Sequence, residues 1–240
     1  MSTLKAHNIE PATGTDVALG AGGDNVTVSA DSIQTNLYKD SGGNTLFQSD
    51  GAGTLSNVNS GLKGAGPVWI STTTASSSAS IDITSGFTST YDKYMIVLVN
   101  VRPATNSASL QMYGTVAGDA FTVNMTTTMF RAYHFESDGA AGVSYEEAGD
   151  VANGYPTRMT HEQENGADAS ASGIFNLYDP SNTTYVKQWI AHVNGMNYNA
   201  ASYDYYTGGY FNTASAITGI KFSYSSGNIA AGKFKLYGVT

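Results

Sequence analysis

The sequence contains no cysteine. Disulfides, thiolate metal centres and a cysteine nucleophile are thereby excluded, and the redox compartment is left open. Charge is scarce as well: charged residues make up 12% of the 240 positions, so solubility rests on the abundant Gly, Ser, Thr, Asn and Tyr. The eleven Lys and Arg are scattered and the net charge is -8, a balance that disfavours nucleic acid as a partner, since its binding depends on Lys and Arg neutralising phosphates. No segment approaches the roughly 18 consecutive apolar residues that span a bilayer, and Met1–His7 has no apolar run of the signal-peptide kind. The expectation is a protein without membrane insertion that, if it works outside a cell, leaves by lysis or on a particle.

Hydrophobic residues at 41% are enough for a core, and their period is that of strands. The clearest signal closes the chain. Ile220, Phe222 and Tyr224 alternate with Lys221, Ser223 and Ser225, and after a Gly/Asn turn Phe234 and Leu236 alternate with Lys233, Lys235 and Tyr237. This reads as a β-hairpin over Gly219–Val239 whose last strand needs partners waiting on both sides. Further strands are predicted over Val68–Thr74, Ser80–Thr84, Lys93–Arg102, Ala108–Tyr113, Met129–Phe135, Gly173–Tyr178, Tyr185–Val193 and Tyr203–Phe211. In Lys93–Arg102 both alternating faces are apolar, the mark of a strand covered on each side. No helix is convincing. The fold class is all-β: an antiparallel, jelly-roll-like β-sandwich over residues 65–240.

Residues 1–64 differ in character. Leu19, Val28, Leu37, Leu46 and Leu55 recur at every ninth position, with Gly- or Asp-rich turns between them. A short repeat predicts stacked short strands, too narrow to bury their apolar sides within one chain. The expectation is an extended arm, ordered by sister copies or by a larger body, against the alternative of a flexible linker. Gly64, Gly66 and Pro67 mark the boundary.

Residues 136–170 lack strand signal and carry Glu136, Asp138, Glu146, Glu147, Asp150, Glu162, Glu164 and Asp168. Paired carboxylates can cleave glycosides and oxygen-rich loops can hold calcium. Neither spacing is present here, so a solvated acidic loop is expected and its binding of a cation is left open. His161 lacks a second histidine at i+4, and His7, His134 and His192 are dispersed. No nucleophile elbow or phosphate loop occurs. No catalytic residue and no cofactor are expected.

Tyrosine carries the sharper clue. Tyr198, Tyr203, Tyr205, Tyr206 and Tyr210 crowd together with Asp204 among them. Tyrosine joins an apolar ring to a hydroxyl and grips a partner at low entropic cost. One reading is a patch for a sugar or protein; the other packs half of these rings into the sandwich or a subunit seam. Trp69 and Trp189 read as core.

Several stretches resemble bacteriophage virion proteins. Pro11–Val28 (PATGTDVALGAGGDNVTV) looks like the N-terminal segment of tail-fibre and related proteins, those of marine and cyanobacterial phages especially. Trp69–Ser76 (WISTTTAS), Thr90–Tyr94 (TYDKY), Asn100–Thr105 (NVRPAT) and Gly232–Val239 (GKFKLYGV) resemble the C-terminal β-domain of the same class. The resemblance implies a non-enzymatic homotrimer located in the virion after synthesis in the host cytoplasm. In it the arm attaches to other virion proteins and the sandwich contacts a host-surface glycan or protein. The modest length leaves a head fibre or capsid decoration protein as an alternative, and a polysaccharide-binding module of a bacterial surface protein as another.

Overall fold

A computed structural model describes residues 37–40, 42–49, 52, 55, 56, 58, 59 and 66–239. Leu19 and Val28 of the nine-residue repeat lie outside them. The chain divides into two compact units, Met1–Leu62 and Lys63–Thr240.

In the first unit, β1 (Leu37–Lys39), β2 (Thr45–Ser49) and β3 (Leu55–Ser56) form a small antiparallel sheet. Asp40 closes the β1–β2 turn by accepting from the backbone N–H groups of Gly42 and Asn44 at 2.9 and 2.8 Å, while Gly43 takes a positive φ of 82°. Tyr38 stacks on its cross-strand partner Phe47 at 4.3 Å. Of the repeat leucines, Leu46 is half-buried and Leu37 and Leu55 are exposed.

The second unit runs β4 (Val68–Ser78), β5 (Ile81–Ile83), β6 (Lys93–Pro103), β7 (Leu110–Val116), β8 (Met125–Phe135), β9 (Ala141–Tyr145), β10 (Ala152–Gly154), β11 (Thr157–Arg158), β12 (Ala171–Tyr178), β13 (Lys187–Asn197), β14 (Ala201–Phe211), β15 (Ile217–Tyr224) and β16 (Ile229–Val239). A nine-stranded sheet has the order β10-β8-β14-β13-β12-β6-β16-β4, with β9 also on β8, and a four-stranded sheet has the order β11-β7-β15-β5. All the pairings are antiparallel. The protein is an all-β sandwich.

Three expectations need correction. The closing pair is not a hairpin: β15 lies in the four-stranded sheet between β7 and β5, and β16 lies in the other sheet between β6 and β4. Alternation gave each strand its buried face but could not say that the turn between them crosses the core. Residues 136–170 are not one loop, because β9, a 3-10 turn over Glu147–Gly149 and β10 follow one another along the free edge of β8. Main-chain pairing holds this edge with little apolar patterning, which is why periodicity missed it. Trp189 is core, but Trp69 is 61% exposed.

The main interior lies between the sheets. Tyr94, Phe175, Leu177, Trp189, Phe211, Phe234 and Leu236 come from the large sheet, and Leu110, Met112, Ile220 and Phe222 from the small one. Phe222 meets Phe175 edge-on at 6.3 Å and Phe234 at 5.1 Å. Full burial of such a side chain contributes on the order of 1.5–3 kcal/mol. Gly114 lets the small sheet approach, since a Cβ there would lie 2.3 Å from the Phe211 ring.

Candidate functional site

Along β14 the side chains alternate strictly, so the tyrosine cluster divides between two faces. Tyr203 and Tyr205 point inward and are 6% and 1% exposed. Their expected place in a ligand patch is therefore corrected: a strand cannot show consecutive residues to one face. Asp204, Tyr206 and Tyr210 stand on the solvent side, and Tyr198 is exposed at the β13–β14 turn. Tyr206 and Tyr210 are about 14 Å apart along the strand, too far for one sugar ring to touch both.

The inward pair belongs to a second, smaller interior with Met129 and Ala201, flanked by Tyr133 and Phe135. It houses a charged cluster. Arg131 Nη1 lies 2.5 Å from Glu146 Oε2 and 3.2 Å from His161 Nδ1, and its guanidinium sits 4.5 Å from the centre of the Tyr203 ring. Tyr205 donates its hydroxyl hydrogen to the His161 carbonyl at 2.6 Å, and Asn197 Nδ2 donates to the Glu162 carbonyl at 2.9 Å. Burial lowers the His161 pKa, opposed by Glu146 and Glu162, and burial raises the Tyr205 pKa. Glu146 is thus a buried ion-pair partner rather than part of a solvated acidic loop. Among the described residues no group of three or more His, Asp or Glu is arranged to hold a metal ion.

The outer side of the nine-stranded sheet is the more unusual surface. Register places Lys235, Val97, Ile174, His192, Tyr206 and Phe130 in one continuous row across six strands. The rings of His192 and Tyr206 stack at 4.3 Å, and those of Tyr206 and Phe130 at 4.9 Å. Asp204 orients the stack: His192 Nε2 lies 2.7 Å from its Oδ1, and its hydrogen bond to the Tyr206 hydroxyl raises that pKa. One row further, Ile190 and Gly208 pair in register. A groove of about 430 Å³ opens there, lined by Thr128, Phe130, Asn176, Ile190, Tyr206 and Gly208. A Cβ on Gly208 would meet nothing nearer than 3.6 Å, so packing does not demand glycine at that position. Its missing side chain leaves the groove floor open.

Sequence reasoning found Asp204, Tyr206 and Tyr210 but missed Phe130, Ile190 and His192 as their companions. Only register across β8, β13 and β14 brings these together. The expectation that β6 is covered on each side is not met among the described residues: Met95, Val97 and Val99 face outward, half-buried and without a covering layer, and this doubly apolar pattern was the available signal for the outer surface.

A larger, more polar groove of about 640 Å³ lies at the other end of the same strands, lined by His134, Glu136, Asp138, Asp168, Asn194 and Ser202. His134 Nε2 and Asp138 Oδ1 are 3.0 Å apart there, both well exposed.

Compared with protein-family models, with curated proteins and with solved structures, the chain matches none of them.

Proposed function

We propose that this chain is a non-enzymatic structural protein of a bacteriophage virion, a trimeric fibre or spike-like appendage whose sandwich contacts the host surface, with glycan as the partner. The observation that carries the reading is the outer face of the nine-stranded sheet. Phe130, Ile174, Ile190 and Tyr206 are all exposed there, between 38% and 52%, on consecutive strands where a sandwich with no partner would carry polar side chains. Stacked rings held upright by Asp204, beside a groove floored by glycine, suit the apolar face of a sugar, and Asn176 and Thr128 supply hydrogen-bonding groups at its edge. The phage resemblance of Pro11–Val28 and Gly232–Val239 supports the virion setting. Weak sites repeated three times on one stalk would gain avidity.

Light scattering and cell adhesion test this reading together. A trimer has a mass of about 75 kDa, three times 25.1 kDa. Labelled protein is expected to adhere to cells in a panel of cyanobacterial and marine bacterial strains, and Tyr206→Ala to reduce adhesion about tenfold. A monomer that adheres to no cell, or adhesion untouched by Tyr206→Ala, overturns it. Labelled antibody on tails or on heads of the particle separates an appendage from a capsid decoration protein.

A further inference from the structure

Trp69 stands on the solvent side of the sheet only because β4 carries an extra residue. Leu236 pairs with Ser71 and Tyr237 pairs with Trp69, which leaves Ile70 with no opposite number. Without that irregularity, alternation from the buried Ala75 would carry residues 73, 71 and 69 to the interior. The bulge gives the interior place to Ile70, which packs on the core, and turns the indole out. Re-aiming a side chain is what bulges beside binding sites do. The ring is also fixed: its Nε1–H donates to Thr72 Oγ1 at 3.1 Å.

The same corner gathers cations. Lys233 and Lys235 share the outer face of β16 with Tyr237, and Lys93 lies on that face of β6 in register with Val239. Among the described residues none of the three has a carboxylate within salt-bridge distance. Four other cations of the sandwich are engaged elsewhere. Arg131 is paired with Glu146, Arg102 donates to the Asn165 carbonyl, Lys187 donates to those of Tyr185 and Ala214, and Lys221 lies over Tyr113 and Phe121. In a chain of net charge -8, this is a local field of opposite sign beside two aromatic side chains.

We infer that the corner formed by Trp69, Tyr237, Lys93, Lys233 and Lys235 binds an acidic polysaccharide through its uronic acid units. The inference rests on the reading of the sandwich as a glycan-contacting domain and adds the charge of the glycan and its seat. The apolar face of a pyranose lies on the fixed indole, and the carboxylate borne by the ring meets the lysines. Adjacent strands are about 4.8 Å apart and alternate residues about 7 Å apart along a strand, so a ring over Trp69 is within the span of the Lys235 and Lys93 stems. A neutral glycan would leave the lysines without a role. Nucleic acid would use the lysines as well, and binding of oligothymidylate as tight as that of the acidic oligosaccharide is the outcome that decides against the glycan.

Titration calorimetry of the full chain with oligoguluronate, with dextran oligosaccharide of equal length and with oligothymidylate tests the site. Oligoguluronate is expected to bind, less tightly as salt rises, and dextran and oligothymidylate at least about tenfold more weakly. Trp69→Ala is expected to lower oligoguluronate affinity about tenfold, the Lys233→Gln/Lys235→Gln pair about fivefold, and Trp69→Phe much less than Trp69→Ala. An unchanged thermal midpoint verifies that the exposed-site variants remain folded. Native affinity in Trp69→Ala, or equal binding of dextran or oligothymidylate, overturns the inference. If Tyr206→Ala abolishes oligoguluronate binding and Trp69→Ala does not, the corner is refuted while the glycan-contacting sheet stands. If no oligosaccharide binds but the native protein adheres to cells, the inference falls and the proposed function does not.

Discussion

Removing the carboxylate of Glu146 probes the second interior at its most sensitive point. Arg131 and Glu146 keep only 20% and 10% of their side-chain surface in water, and Arg131 Nε is buried without a partner. At an effective dielectric constant near 20, a pair of unit charges about 4 Å apart interacts by about 4 kcal/mol. Deleting one member of a buried pair costs about 3–5 kcal/mol, because the other charge is left behind. The remaining water access and the Tyr203 ring over the guanidinium place Glu146→Ala at the lower end, about 3 kcal/mol. With a urea dependence of about 2.5 kcal/mol per molar, the unfolding midpoint falls by about 1.2 M. Trp189 emission in a Trp69→Phe background reports it, since Trp189 is fully buried. The double variant Arg131→Met/Glu146→Leu removes both charges and is expected to recover to within about 1 kcal/mol of the parent. A midpoint shift under about 0.3 M for Glu146→Ala, or a double variant no better than the single, would show that the pair behaves as a solvated surface contact.

Burial holds the His161 pKa below its ordinary value. The unfolded chain takes up this proton near pH 6.5 while the folded chain resists it, so the histidine's contribution is complete above about pH 6.5 and is lost as pH falls below it. Urea midpoints between about pH 7 and pH 5 are expected to fall less steeply in His161→Gln; an equal slope places the loss in other groups. Tyr205→Phe removes the bond to the His161 carbonyl and is expected to cost about 1 kcal/mol of stability while leaving cell adhesion intact, the reverse of Tyr206→Ala. Thermal unfolding and adhesion measured on both variants check the assignment of the two faces. Gly114→Ala would bring a methyl group to 2.3 Å from the Phe211 ring, and a loss of about 1–3 kcal/mol in urea unfolding is expected; native stability would mean that the sheets can separate there.

The strands were readable wherever one face is buried. Lys93–Arg102 and Tyr203–Phe211 fall within β6 and β14, and the alternation of Phe234 and Leu236 with Lys233, Lys235 and Tyr237 matches the burial of β16. Readable too, had parity been applied to it, was the division of Tyr203 and Tyr205 from Asp204 and Tyr206. Allotment of strands to sheets was not, because a tight hairpin and a crossing between layers leave similar turn residues at Ser225–Asn228. Trp69 was misplaced by a single inserted residue, which shifts parity while leaving composition untouched. The Arg131–Glu146–His161 cluster joins β8 to two later segments, and a pairing across that separation has no local pattern.

Unequal sheets account for the buried polar corner but not for the apolar outer face. β4, β6, β8, β13, β14 and β16 each have 11 residues, about 37 Å of strand, whereas β15, the longest of the small sheet, has 8, about 27 Å. The smaller layer therefore cannot cover the whole inner face of the larger. At the corner formed by Met129, Ala201, Tyr203 and Tyr205, the cover is supplied by His161 and Glu146, which is why polar groups are buried there and why they are paired. Folding demands no such remedy on the outer face, where an isolated antiparallel sandwich would ordinarily carry Thr, Lys or Glu at positions such as Met95, Val97, Ile174 and Ile190. Apolar side chains left half in water forgo burial worth about 25 cal/mol per Å². An outward row that neither packs the core nor aids solubility, on the face that also holds a bulge-turned tryptophan, is what the proposed contact with a host glycan requires.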